Sequence, residues 1–213
     1  MLLCGSGYRC CVDSAPVGIE GRNRGMYYHA SPVPGIKQLE PRISNDGVPL
    51  IYFSGKRENT LVYLSNAIEK YCTENGFVHS GKWQKWGPYG FTKDRILVLQ
   101  EYYPNALYET YRGVSAYVYG VDDTAPVQAS GKIPFAFTAS QPVEVASCEY
   151  IPDAYEAIMQ AAAEGKIKIQ RYEDLPERIR EWIRKTMRDA WKNENLQDDY
   201  RFFIEAKFPW VKD

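Results

Sequence analysis

Histidine is scarce in this chain: only His29 and His79 occur in 213 residues. Cysteine is sparse as well, at Cys4, Cys10, Cys11, Cys72 and Cys148, with no C-x-x-C pair. A structural zinc needs about four converging Cys or His ligands, so no metal is expected. An odd, scattered set of cysteines argues against a disulfide scaffold and for a reducing compartment, which makes a cytoplasmic location the expectation. Long apolar runs are missing, so no membrane span is expected. The opening Met1-Leu2-Leu3-Cys4 lacks the charged start and the apolar stretch of a secretory signal. Charge of one sign is missing too: 26 basic residues face 27 acidic ones, for a net charge of −1. Such a balance supplies no general field for phosphates, and strong general nucleic-acid binding is not expected. The GxSxG, P-loop, GxGxxG and HExxH signatures are absent.

What is present is an ordinary globular composition, 45% hydrophobic and 25% charged, enough to bury a core. Tyrosine is the exception, with 17 residues. It suits half-buried strands and equally a pocket lined by flat rings with polar tips. Residues 1–25 are rich in Gly, Ser, Cys and Arg and carry no apolar periodicity. They read either as a disordered tail or as a mis-assigned upstream extension, with Met26 as the true initiator. Residues 26–213 read as a single α+β domain.

Period-two or apolar segments predict strands at Met26–Ala30, Val48–Ser54, Ile96–Gln100, Val114–Val121, Lys132–Thr138, Val143–Ile151 and Lys166–Tyr172. A helix is expected from Glu58 to about Glu74, with Leu61, Leu64, Ile68, Tyr71 and Cys72 as its apolar stripe. Phe77–Lys93, with Trp83 and Trp86, reads as an ordered loop or short hairpin. Asp153–Glu164 is a second helix, closed by Gly165. Asp174-Leu175-Pro176-Glu177 reads as a capping box. The helix it opens, over 174–197, is expected to pack through Leu175, Ile179, Trp182, Ile183, Ala190 and Trp191. The helices are segregated from most strands, which predicts α+β with about six strands in facing or split antiparallel sheets.

The chemistry-bearing stretch runs from Tyr27 to Asn66. It reads Tyr28-His29-Ala30-Ser31, then Leu50-Ile51-Tyr52-Phe53-Ser54, then Leu61-Val62-Tyr63-Leu64-Ser65-Asn66. Tyr52 and Tyr63 stand eleven positions apart, and Glu149-Tyr150-Ile151 follows downstream. At about 100° per residue, Tyr63 lies roughly 160° from the middle of its helix stripe, so it faces away from the packing side. In order and spacing these pieces resemble the ADP-ribosyltransferase fold, in the branch of the poly-ADP-ribose polymerases and diphtheria toxin. The resemblance covers about forty residues and one tripeptide. It implies split antiparallel β-sheets with flanking helices. It also implies NAD as substrate and transfer of ADP-ribose to an acceptor, protein or nucleic acid, that the chain does not reveal.

By that resemblance His29 binds a ribose hydroxyl, Ser31 the carboxamide, and Tyr52 and Tyr63 sandwich the nicotinamide ring. Glu149 holds the ribose 2′-hydroxyl and favours the charge that develops on the sugar, so Glu149, His29 and Tyr52 are the catalytic candidates. Ala30 stands where the family usually has glycine, and Ser147 where arginine-specific relatives have a second glutamate. Glu144 and Glu101 are alternatives for the carboxylate. A non-catalytic ligand-binding or protein-interaction domain on the same fold is the competing reading. Phosphate transfer from RNA would need several arginines near the histidine, for which Arg42 and Arg57 are the candidates.

Overall fold

The computed structural model describes residues 25–43, 47–79, 89–131 and 133–213. The N-terminal segment before Gly25 and the Trp83–Trp86 stretch therefore lie outside the described residues. In chain order the strands are β1 (Met26–Ser31), β2 (Gln38–Leu39), β3 (Arg42–Ile43) and β4 (Pro49–Ser54). A 3-10 turn (Arg57–Tyr63) and α1 (Ala67–Glu74) follow. Next come β5 (Tyr89–Phe91), β6 (Leu97–Gln100), α2 (Ala106–Tyr111), β7 (Ala116–Asp122), β8 (Gln128–Ala129) and β9 (Ala136–Ala139). The rest is β10 (Val143–Glu144), β11 (Ser147–Ile151), α3 (Ala154–Ala163), β12 (Ile167–Gln170), α4 (Glu177–Trp191) and α5 (Asp198–Lys207).

The chain is an α+β protein. Its main sheet runs β11-β7-β1-β4-β9-β8, with β3 also on β4, and every pairing in it is antiparallel. A second sheet runs β12-β6-β5, and β12 joins β6 in parallel. β10 and β2 form a small ribbon.

Alternation along each strand divides the main sheet into two faces. One face packs a small core of Ile51, Phe53, Val121 and Ala139 with Leu39 and Val143. The other bears Tyr28, Ala30, Val118 and Ile151, which join the large core of Leu61, Ile68, Leu97, Leu107, Ile158 and Phe203. β4 shows the rule directly: Ile51 and Phe53 are buried while Tyr52 between them is exposed.

Four sequence expectations are corrected. The helix over 58–74 is two elements. Asn66 keeps extended backbone, and its side chain accepts from the Ile68 amide at 3.1 Å, so α1 starts at Ala67. Before it, Thr60 Oγ1 donates to the Arg57 carbonyl at 2.6 Å and tightens the chain into a 3-10 turn. The stripe survives the break, because Leu61, Leu64, Ile68 and Cys72 are all buried.

Asp174 caps nothing. α4 begins at Glu177 after Pro176 without a side-chain cap, and the Glu177 carboxylate instead takes Arg180 and Arg184. Trp182 is 48% exposed. The buried line of α4 is Ile183 and Met187, and Trp182 lies about 100° round the helix from Ile183, with its ring edge-on to Tyr102. The C-terminal packing is shared with α5, whose Phe203 and Ile204 are sealed in the core. His79 also serves this end, 2.7 Å from the Asp199 carboxylate.

Val143–Ile151 breaks into β10 and β11 because the Val145 amide turns to the Lys37 carbonyl. By contrast Asp153 does cap its helix, accepting from the Tyr155, Glu156 and Gly113 amides. Among the described residues no helix is long and apolar enough to cross a membrane, and no three potential metal ligands converge.

Candidate functional site

The site begins where two strands part. β1 pairs with β7 along its whole length, but its register with β4 is a single pair, Tyr28 opposite Ser54. Beyond that pair the ladder is replaced by a side chain: His29 Nδ1 lies 2.9 Å from the Tyr52 carbonyl oxygen. A carbonyl only accepts, so Nδ1 carries the proton, and in the neutral ring Nε2 keeps its lone pair. Burial holds the His29 pKa below its ordinary value; the Tyr52 bond opposes this and Arg42 adds to it. The imidazole is therefore neutral at pH 7 and pins Tyr52 at the seam.

Cross-strand register sets which side chains share a face. Glu149 lies opposite Val118, and Val118 opposite Ala30. Tyr52 has the same parity as Ser54, the partner of Tyr28, so it projects on the side of Ala30 and Glu149. The 3-10 turn lies over this face, with Leu61 and Val62 in the same core as Val118 and Ala30. Tyr111 anchors the turn, its hydroxyl donating to the Val62 carbonyl at 2.8 Å.

The turn delivers two site residues. Arg57 donates through Nε and Nη2 to the two carboxylate oxygens of Glu149, at 2.6 Å each. Tyr63 is 44% exposed, and its hydroxyl meets that of Tyr89 at 2.7 Å. Partial burial and then the Tyr89 bond push the Tyr63 phenol well above its ordinary value, so it stays protonated. The turn also holds Asn59, whose buried amide finds no partner among the described residues, a stability cost located beside Arg57.

Tyr52, Tyr63 and Glu149 are thus drawn to one side of the sheet, around one turn. His29 belongs by register to the opposite face, with Tyr119 and Phe53, and enters through the seam. Ser31 shares the His29 side; it is 8% exposed, and its hydroxyl oxygen accepts from the Val33 amide. Of the alternative carboxylates, Glu101 is 1% exposed and held by Arg171 and by the Leu107 and Tyr172 amides. Glu144 lies on the β10–β2 ribbon.

Two partners escaped the sequence reading. Tyr89 gave no signal beside Tyr63, and Arg57 stood out only as a possible phosphate ligand. Both contacts join distant parts of the chain, where local periodicity is blind. A separate cavity of about 330 Å³ lies between α1, α2 and α5. Its lysines are committed: Lys70 to the Glu109 and Arg112 carbonyls, and Lys207 to the Glu109 carboxylate.

No protein-family model matches the chain, and no curated protein and no solved structure matches it either. The functional reading rests on the residues themselves.

Proposed function

We propose that the chain is an ADP-ribosyltransferase-like enzyme that cleaves NAD and transfers ADP-ribose to an acceptor. The observation that supports it is that Tyr52 and Glu149 project from one sheet face, beneath the turn that carries Tyr63 and beside the His29 seam. In this reading the two tyrosine rings flank nicotinamide, with stacking worth about 0.5–1.5 kcal/mol each beyond burial. His29 fixes Tyr52 and offers Nε2 to a ribose hydroxyl through the seam; Ser31, buried on the other face with its hydroxyl taken by the Val33 amide, is left out of this scheme.

The bond from ribose C1′ to the nicotinamide nitrogen breaks, and its electron pair leaves with nicotinamide. Positive charge then develops on the sugar, where the Glu149 carboxylate stabilises it. The acceptor bonds to C1′ and gives its proton to solvent. No metal takes part in this scheme.

Arg57 favours a second reading. It engages both oxygens of Glu149, as suits a domain that binds NAD or a fragment without turnover. NAD-dependent thermal stabilisation followed by an assay for free nicotinamide separates the two. Tyr63→Ala is expected to weaken NAD binding. Glu149→Gln is expected to bind NAD like the parent and to lose release, because stacking acts on the bound state and the carboxylate on the transition state. Stabilisation without release supports the binding domain, and neither effect defeats both readings.

A further inference from the structure

We infer that the open edge of β11 is a docking strand for an extended polypeptide segment, the acceptor, seated beside Glu149. The acceptor role rests on the NAD reading above; the docking does not. β11 ends the main sheet: it pairs with β7, and among the described residues no strand pairs with its other side. It has five residues, against two for β8 at the opposite end. An open edge is a template for strand addition unless something blunts it.

The usual guards are proline, lysine or an outstanding charge. The strand reads Ser147-Cys148-Glu149-Tyr150-Ile151, with neither proline nor lysine. Its one charge, Glu149, is held on the sheet face by the exposed Arg57 and not set out along the edge. Tyr150 is left 52% exposed, with its ring 5.3 Å from that of Tyr117.

Charge selects the occupant. A second copy added antiparallel about Glu149 would set two carboxylates opposite one another, and like charges in that position destabilise a strand pair. A foreign segment with a hydroxyl or basic side chain there has no such penalty. Its alternate residues would be apolar and lie against Tyr150. Directly opposed residues in such a pair have Cβ atoms about 4.5–5.5 Å apart. The side chain facing Glu149 is therefore the one placed to bond to C1′ as the nicotinamide leaves.

The test uses the full chain and a fluorescein-labelled, acetylated peptide amide, Lys-Val-Ser-Val-Thr-Val-Lys, followed by anisotropy without NAD. Saturable binding is expected, weakened at least about tenfold when alternate amides are N-methylated, since strand addition works through backbone bonds. Tyr150→Pro should weaken it similarly; if that variant does not fold, Tyr150→Lys places a guard on the edge instead. No saturable binding up to about 1 mM, the weak end of the specific range, overturns the inference, as does equal binding of the methylated peptide. A dimer in sedimentation that Tyr150→Lys dissolves assigns the edge to a second copy and also overturns it. Nicotinamide release without peptide binding sinks the docking strand alone. Peptide binding without NAD binding keeps the docking strand and sinks the acceptor role together with the NAD reading.

Discussion

Two arginine–glutamate pairs occupy opposite settings in this protein. Arg171 meets Glu101 where β6 gives way to α2, and Arg57 meets Glu149 on the open side of the main sheet. The arginines are equally exposed, at 33% and 34%, but Glu101 is 1% exposed and Glu149 48%. Burial changes what each carboxylate does. Glu101 also accepts from two backbone amides, so it ties α2 and the Tyr172 turn to the second sheet. Glu149 takes no such backbone amides among the described residues and meets Arg57 in water-exposed surroundings, where an ion pair contributes little to stability.

The comparison is broken most forcefully from the buried side. Glu101→Ala leaves Arg171 without its partner and strands the Leu107 and Tyr172 amides. Removing one member of a buried pair costs about 3–5 kcal/mol, read from urea unfolding at pH 7. A loss below about 1 kcal/mol would place Glu101 with exposed pairs such as Glu149.

Trp182 gives the next largest effect and tests the same idea without charge. A sealed aromatic truncated to alanine costs about 3–5 kcal/mol, as expected for Phe203, which is 1% exposed. Trp182 has nearly half its surface in water, so Trp182→Ala should cost about 1–2 kcal/mol. Equal losses in the two variants would mean that the Tyr102 contact holds α4 as firmly as the core does.

These expectations also mark how far the sequence could be read. The inward alternation of Ile51 and Phe53 and the helix from Asp153 to its close at Gly165 were legible, because both depend on neighbours in the chain. The stripe of Leu61, Leu64, Ile68 and Cys72 was legible as burial but not as a continuous helix, since its spacing serves a 3-10 turn followed by an α-helix equally well. α5 was missed although Phe203 and Ile204 are buried in the large core. The exposure of Tyr52 and Tyr63 agrees with strand alternation and with a place off the apolar stripe, although Tyr63 lies in a 3-10 turn and not in the expected α-helix. The clasp on Glu149 was not legible, because Arg57 lies 92 residues away and only sheet register brings it near.

A smaller effect comes from the seam. The His29 pKa is lowered in the folded protein from its ordinary 6.5, so the folded state resists protonation and the unfolded chain accepts it. Stability from this group is whole above about pH 6.5 and is lost as pH falls through that value toward the folded pKa. His29→Asn keeps a donor for the Tyr52 carbonyl and removes the titration. Between pH 7 and 5 its melting temperature should fall less than that of the parent. Parallel curves would show that the imidazole is not held neutral.

The smallest expected effect belongs to Arg57 and Glu149, and it sharpens the contrast. Exposed ion pairs couple by about 0.2–1 kcal/mol, even where the geometry is good. Their attraction is screened by salt, with a Debye length of about 8 Å at physiological ionic strength and 3 Å at 1 M. A double-mutant cycle with Arg57→Ala and Glu149→Ala, read by urea unfolding, should therefore give a coupling under about 1 kcal/mol that shrinks in high salt. The same cycle read by nicotinamide release should behave differently. In the proposed reaction Glu149→Ala removes the carboxylate assigned to the transition state, so adding Arg57→Ala to it should change the rate little further. A stability coupling of several kcal/mol would make the pair a structural clasp like that of Glu101, and Glu149 would then lose its claim to be the free carboxylate of the site.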